Sequence, residues 1–340
     1  MIQNEIKAKE RLLDDNGNIA NPGYCIQSNY IYKRGDIKAH PMRIKEWDFY
    51  QISDKRYTLQ MVIFDISMGG AATFTLFDRQ TGERFEAMTL DLLTLGSYKL
   101  PECDEEDHII HIKKKGFDMK IDCFGNKRIL TFKGKCKQGV TEAKLELTLP
   151  EGLEYLVMAV PFKEDKHFYL NKKINCMPAK GYVKSGNRTV AFDEDTAFGV
   201  LDWGRGVWPY KCDWFWGNGS TKLPDGRIFG FEIGWGFGEM TAFTENTLFI
   251  DGKAHKIENL TMKKDEKDYL KPWVFTSSDG RFEMTMVPEF DNYTSTRVGV
   301  VGNKCHQVFG KWSGFVILDS GEKLEIKDMI AFCEHSDNRW

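Results

Sequence analysis

Apolar and polar side chains alternate with a period of two along most of this chain, and stretches with helical spacing are scarce. In 116–124, Phe117, Met119, Ile121 and Cys123 fall on one side, with Asp118, Lys120 and Asp122 on the other. Lys144–Leu149 and Phe282–Met286 alternate in the same way. Such segments are expected to be strands packed on one face and wet on the other. Met61–Phe64 and Phe315–Leu318 are continuously apolar, as strands covered on both faces should be. Turn signals separate the segments, among them Asp251-Gly252, Asp279-Gly280 and Ser320-Gly321, where glycine supplies the positive φ of a tight hairpin. The prediction is an all-β fold of antiparallel sheet, closed or strongly curved so that no long edge is left open. Helix is expected only in short pieces, such as Ala87–Leu95.

A chain of 340 residues exceeds what one hydrophobic core usually serves, so two units are expected. The alternation becomes irregular at Asn171–Gly181, and both flanks return to strand-like spacing. This predicts a boundary between Leu170 and Asp195, with one β-domain over 1–180 and a second over 181–340.

Charge then removes several functions. The net charge is −3 and no concentrated basic footprint appears, which argues against nucleic acid. Lys113–Lys115 and Met262–Lys271 are expected to be solvated turns, the second because it mixes both signs. The N-terminal segment lacks the apolar stretch of a secretory signal, and no run approaches the length of a membrane span. Eight cysteines without a Cys-x-x-Cys are expected to be reduced thiols in a cytoplasmic protein.

The densest candidate chemistry lies in 198–246. Five of the nine tryptophans fall there, Trp203, Trp208, Trp214, Trp216 and Trp235, together with Arg205, Tyr210 and Asn246. Aromatic walls with a few polar groups make a small-molecule pocket; the same tryptophans could equally fill a barrel. Asp202, Glu239 and Glu245 are the candidate acids, because burial raises a carboxyl toward neutrality. Asp202 and Arg205 could instead form a structural ion pair, or Arg205 could fork a ligand carboxylate or phosphate. Asn246 could orient a ligand oxygen or cap a turn. Familiar catalytic and cofactor motifs are missing. Gly310–Gly314 is not a nucleophile elbow, and Gly234-x-Gly-x-Gly238 lacks the third spacing and the helix of a dinucleotide site. His108 and His111, three apart in a strand, point to opposite faces. Neither a metal nor a cofactor is expected.

The run Leu201–Tyr210 (LDWGRGVWPY), followed by Trp214-Phe215-Trp216, resembles the family known as domain of unknown function 2804. Lys45–Asp48 with Tyr50, Leu12–Gly17, Asn21–Gly23, Asn171–Lys173 and Pro178–Gly181 extend the match over nearly the whole chain. One departure is Glu239, where the family would place the shorter Asp. The resemblance implies a pair of lipocalin-like barrels and distant kinship with carotenoid 1,2-hydratases, tocopherol cyclases and some fungal Diels–Alderases, which bind apolar polyenes. It assigns no catalytic residue. Three functions stay open: a cofactor-free acid-catalysed hydratase or cyclase, a non-catalytic lipid or pigment carrier, and a carbohydrate-active enzyme. The third needs two of Asp202, Glu232, Glu239 and Glu245 to face each other across an open cleft.

Overall fold

The computed structural model describes residues 3–299 and 301–339. Among these there is no α-helix, only the single 3-10 turns Arg34–Asp36 and Pro41–Arg43; none is long and apolar enough to cross a membrane. Ala87–Leu95 is not the helix its composition suggests. Its first part belongs to the strand Arg84–Leu92, which pairs antiparallel with Gly69–Asp78 and holds Met88, Leu90 and Leu92 on an exposed side.

The strands form two large antiparallel sheets. In the first, the path runs from Arg84–Leu92 through Gly69–Asp78, Tyr57–Asp65 and Lys45–Ser53 to Phe198–Val207 and Phe168–Ser185. It continues through Gly139–Thr148, Lys127–Cys136 and Phe117–Phe124 to His108–Lys114. The ends of this path curl together until Lys127–Cys136 packs against Arg84–Leu92, giving a nearly closed barrel. Phe74 and Phe132 stack across its interior with ring centroids 4.0 Å apart, and Leu12, Leu13, Tyr30 and Tyr32 from the N-terminal segment join the same core.

The second sheet has nine strands. It centres on Lys211–Lys222, Lys323–Arg339, Val301–Ile317 and Phe282–Val298, and it closes only halfway. Phe231, Phe275, Phe282 and Trp312 fill one of its faces, and its other face lies against the outside of the barrel. The expected division at 180/181 falls within the strand Phe168–Ser185, which pairs along its length inside the first sheet. The chain changes sheet between Val207 and Lys211.

The irregular stretch at 171–181 has its physical cause in packing. From Phe168 to Met177 every residue is buried, because the strand is sandwiched between the barrel core and the second sheet. The ladder with Phe198–Val207 slips between Ile174 and Met177, and Cys176 takes a left-handed conformation at φ 59°. Such a bulge re-aims side chains: Asn175 and Cys176 reach over to Asn218 and Ser220 of the second sheet.

One end of the barrel is closed by charges rather than by apolar packing. The Arg205 guanidinium is fully buried and donates to Asp48 (2.8 Å) and to the carbonyls of Trp47 (2.8 Å), Gly204 (2.9 Å) and Pro101 (2.9 Å). It also faces the Trp203 ring at 4.0 Å. Removing one partner of such a pair leaves the other charge buried without compensation. Arg205→Leu is therefore expected to lower unfolding free energy by about 3–5 kcal/mol, read from urea denaturation. An unchanged midpoint would show that this cluster does not hold the barrel end.

Candidate functional site

Between the outside of the barrel and the second sheet lies a cleft of about 400 Å³. Strand alternation decides what enters it. In Asn171-Lys172-Lys173, Asn171 and Lys173 face the second sheet, whereas Lys172 points into the barrel and pairs with Asp104. On the neighbouring strand Asp202 faces the cleft, and Trp203 and Arg205 face inward. Asp202 is in register with Lys173.

Lys173 is the centre of the site. Its side chain is 4% exposed, and its Nζ lies 3.2 Å from Asp202, 3.7 Å from Glu245 and 3.8 Å from Glu232. The same ammonium stands 3.7 Å over the Trp216 ring. Burial works against its charge, but Asp202, Glu232 and Glu245 outweigh that effect and hold its pKa above the usual lysine range. Asp202 is steadied from the other side by the Asn171 amide at 2.6 Å.

The acids around it are tuned apart. Glu232 is fully buried, and burial pushes its carboxyl well above the ordinary range despite the opposing pull of Lys173. It accepts from the Trp216 indole N–H and, at 3.0 Å, from Asn218. Glu245 is raised as well, again by burial first and then by the neighbouring Asp202, against the lowering influence of Lys173. A Cβ at Gly234 would collide with the Glu245 carboxylate; the glycine is what lets this acid into the cleft.

Glu334 lines the same cleft from the last strand. Burial lifts its carboxyl to about 7 from an ordinary 4.5, against the lowering influence of the Trp214 N–H and of Lys173. Trp214 Nε1 donates to Oε1 at 2.9 Å, and Gln307 Nε2 donates to Oε2 at 3.3 Å. Gln307 in turn accepts from Gln60 of the barrel at 2.7 Å, so an amide bridge between the sheets fixes the acid. Trp47, Phe49, Tyr169 and Phe237 supply apolar wall.

Of the residues singled out from the sequence, Asp202, Glu245, Trp214 and Trp216 meet at this cleft. Glu239 does not: its side chain is 43% exposed, and its nearest cation is Lys163 at 3.9 Å. Arg205 is enclosed in the barrel end and cannot fork a ligand. It cannot pair with Asp202 either, since the two lie on opposite faces of one strand; the partner of Asp202 is Lys173. Trp203 lies in the barrel core. Trp208 is packed against Trp47 and Phe237 beneath the cleft wall, and Trp235 stacks on Phe215. Tyr210 is 46% exposed, away from the cleft. Asn246 accepts from the Gly234 N–H at 3.1 Å and donates to the Glu258 carbonyl at 2.9 Å, so it anchors the segment carrying Glu245. Asp202, Glu232 and Glu245 gather round one ammonium instead of opposing one another across open space. Lys173, Gln307 and Glu334 were missed from the sequence, although two successive lysines inside an otherwise buried strand were a usable sign.

The chain belongs to the family described as a domain of unknown function (DUF2804), whose model matches residues 3–340. It is similar in fold to kievitone hydratase from Nectria haematococca, with a TM-score of 0.46 and 10% identity, over 97% of this chain and 98% of that one. It is also similar to a protein described as an ATTH from Nitrosomonas europaea, with a TM-score of 0.45 and 10% identity, over 91% and 98% of the two chains. Neither likeness bears on chemistry. No curated protein matches the sequence.

The raised Glu334 carboxyl has a consequence for stability. The folded protein keeps this proton up to about pH 7, whereas an ordinary glutamate releases it near 4.5, so stability falls as the pH rises through that window. Glu334→Gln is expected to be more stable than the parent above about pH 7, by on the order of 2–3 kcal/mol. The gain should vanish below about pH 4.5. Thermal or urea unfolding across this range checks it, and a pH-independent difference would contradict the assigned shift.

Proposed function

For this member of the family we propose an acid–base reaction on an unsaturated, largely apolar small molecule: addition of water to a carbon–carbon double bond, or ring closure onto one. The observation that carries this reading is Glu334, a carboxyl held near neutrality in the wall of an aromatic cleft. A general acid works best when its pKa lies near the working pH.

The residues divide the labour as follows. Glu334 gives its proton to one alkene carbon. The positive charge that develops on the other carbon is stabilised by the faces of Trp214 and Tyr169. Asp202, paired with Lys173 and held by Asn171, accepts a proton from the water that attacks the cation. In a cyclisation, a hydroxyl of the ligand takes the place of that water. The proton taken up by Asp202 replaces, through solvent, the one Glu334 has spent, so the protein is returned unchanged. Trp216 is engaged with Lys173 and Glu232 and serves to place the ammonium.

Native mass spectrometry of the freshly purified protein, followed by solvent extraction, is expected to recover an unsaturated amphiphile. Incubating that compound with the protein in water enriched in heavy oxygen should place the label in the product of a hydratase. Glu334→Gln and Asp202→Asn should each reduce turnover by about 10²–10⁴-fold with the compound still bound. Turnover should also fall as the pH rises through about 7, where Glu334 loses its proton. Full turnover in both variants would refute the acid–base assignment. Retained ligand without turnover in the parent protein would make it a carrier.

A further inference from the structure

The two walls of the cleft differ in chemistry toward its mouth. On the barrel side stand Val62, Phe64 and Ile66. On the sheet side, three adjacent strands present one face in register. Asn292, Gln307 and Glu334 form one row, Thr294, Cys305 and Ser336 the next, and Asn303 with Asn338 the third. Apart from Glu334, every member of this lattice is uncharged.

Most of these polar groups are withdrawn from solvent: Asn338 is 0%, Ser336 2%, Gln307 4% and Asn292 6% exposed. Some of their capacity is used internally. Asn303 donates to Asn338 at 2.6 Å, and Asn338 donates to Ser336 at 2.9 Å. Asn303 also donates to Ser336 at 3.2 Å, and Asn292 accepts from Arg84 at 2.5 Å and donates to Gln307 at 3.3 Å. A carboxamide offers two donors and two acceptor sites, so these bonds leave part of the lattice's capacity unused. Buried polar groups need partners, and a lattice of this kind facing an apolar wall suits an occupant with hydroxyl groups on one side and hydrocarbon on the other.

The charges narrow the class further. The cation of the lining, Lys173, is already paired with Asp202 and Glu245, so an anionic ligand finds no free counter-charge there. A cationic ligand finds the Trp216 face already taken by Lys173. Thr294 is exposed, whereas Asn292, Gln307 and Glu334 are buried. The lattice therefore runs from the mouth inward to the acids.

We infer that the ligand is an uncharged amphiphile whose hydroxyl-rich headgroup, glycosyl or polyol in character, lies on the Asn303–Asn338 lattice while its hydrocarbon part reaches inward to Trp214 and Glu334. This rests on the cleft being the ligand site, and it adds which molecule enters and in which direction. A sugar ring suits the slot because its C–H face can lie on Phe64 while its hydroxyls meet the amides.

The test is binding, without turnover. Four probes sharing one chain are titrated calorimetrically into the full-length protein: hexyl β-D-glucopyranoside, hexan-1-ol, hexanoate and hexylammonium. The glucoside is expected to bind at least about tenfold more tightly than hexanol, the yield of two or so net hydrogen bonds. The double variant Asn303→Ala/Asn338→Ala should lose that preference and keep the affinity for hexanol. Should the double variant fail to fold, Asn303→Ala alone, at the half-exposed end of the lattice, should reduce the preference. The preference is read from binding alone, so loss of the acid–base reading would not remove this one. Equal affinity for glucoside and hexanol, or a preference for either charged probe, would overturn the assignment. Failure of all four to bind would overturn the cleft as the ligand site, and this inference with it.

Discussion

Burying the Lys173 ammonium is the constraint on which the rest of this structure depends. An unpaired charge in the interior costs many kcal/mol and would lose its proton instead. Here the charge is kept because carboxylates converge on it from both sheets: Asp202 from the barrel, and Glu232 and Glu245 from the half-barrel side. The bulge at Asn175–Cys176, the glycine at 234 and the anchor at Asn246 all serve that convergence. The first sends side chains across the interface, the second clears space for Glu245, and the third holds its segment.

Once the ammonium is fixed, the remaining acids cannot all ionise. Burial and the neighbouring Glu245 push Glu232 well above the ordinary carboxyl range. Glu334 lies further along the cleft wall, held by donors from Trp214 and Gln307, and reaches a pKa near neutrality. Environment alone thus raises Glu334 toward neutrality beside an Asp202 that is paired with Lys173, an arrangement that suits acid–base chemistry at one site. The aromatic lining matters in two ways: it lowers the local dielectric that produces the shifts, and it offers faces to a developing cation.

Much of the architecture was legible because a strand writes its two faces into the sequence with period two. The alternation in 116–124 and the Asp-Gly hairpins appear in the structure as expected. The same rule explains what went wrong in the dense run around Asp202. Neighbours in sequence were weighed as one site, yet Asp202 faces the cleft while Trp203 and Arg205 face the barrel interior. Asn171–Gly181 reads as irregular because a strand buried on both sides and broken by a bulge loses its alternation. Glu334 and Gln307 were invisible for a different reason. Their meeting with Asp202 and Gln60 is set by how two sheets pack, and no local spacing encodes that.

The shared lysine also bears on modularity. Tandem barrel-like units invite the idea that either could be excised or exchanged with the counterpart of a relative. Yet one unit holds the cation and the other holds two of its counter-ions. Severed between the sheets, the first would keep only Asp202 beside its ammonium, and the second would lose the cation that Glu232 and Glu245 share. Excising either unit would therefore break the charge cluster as well as uncover a sheet face.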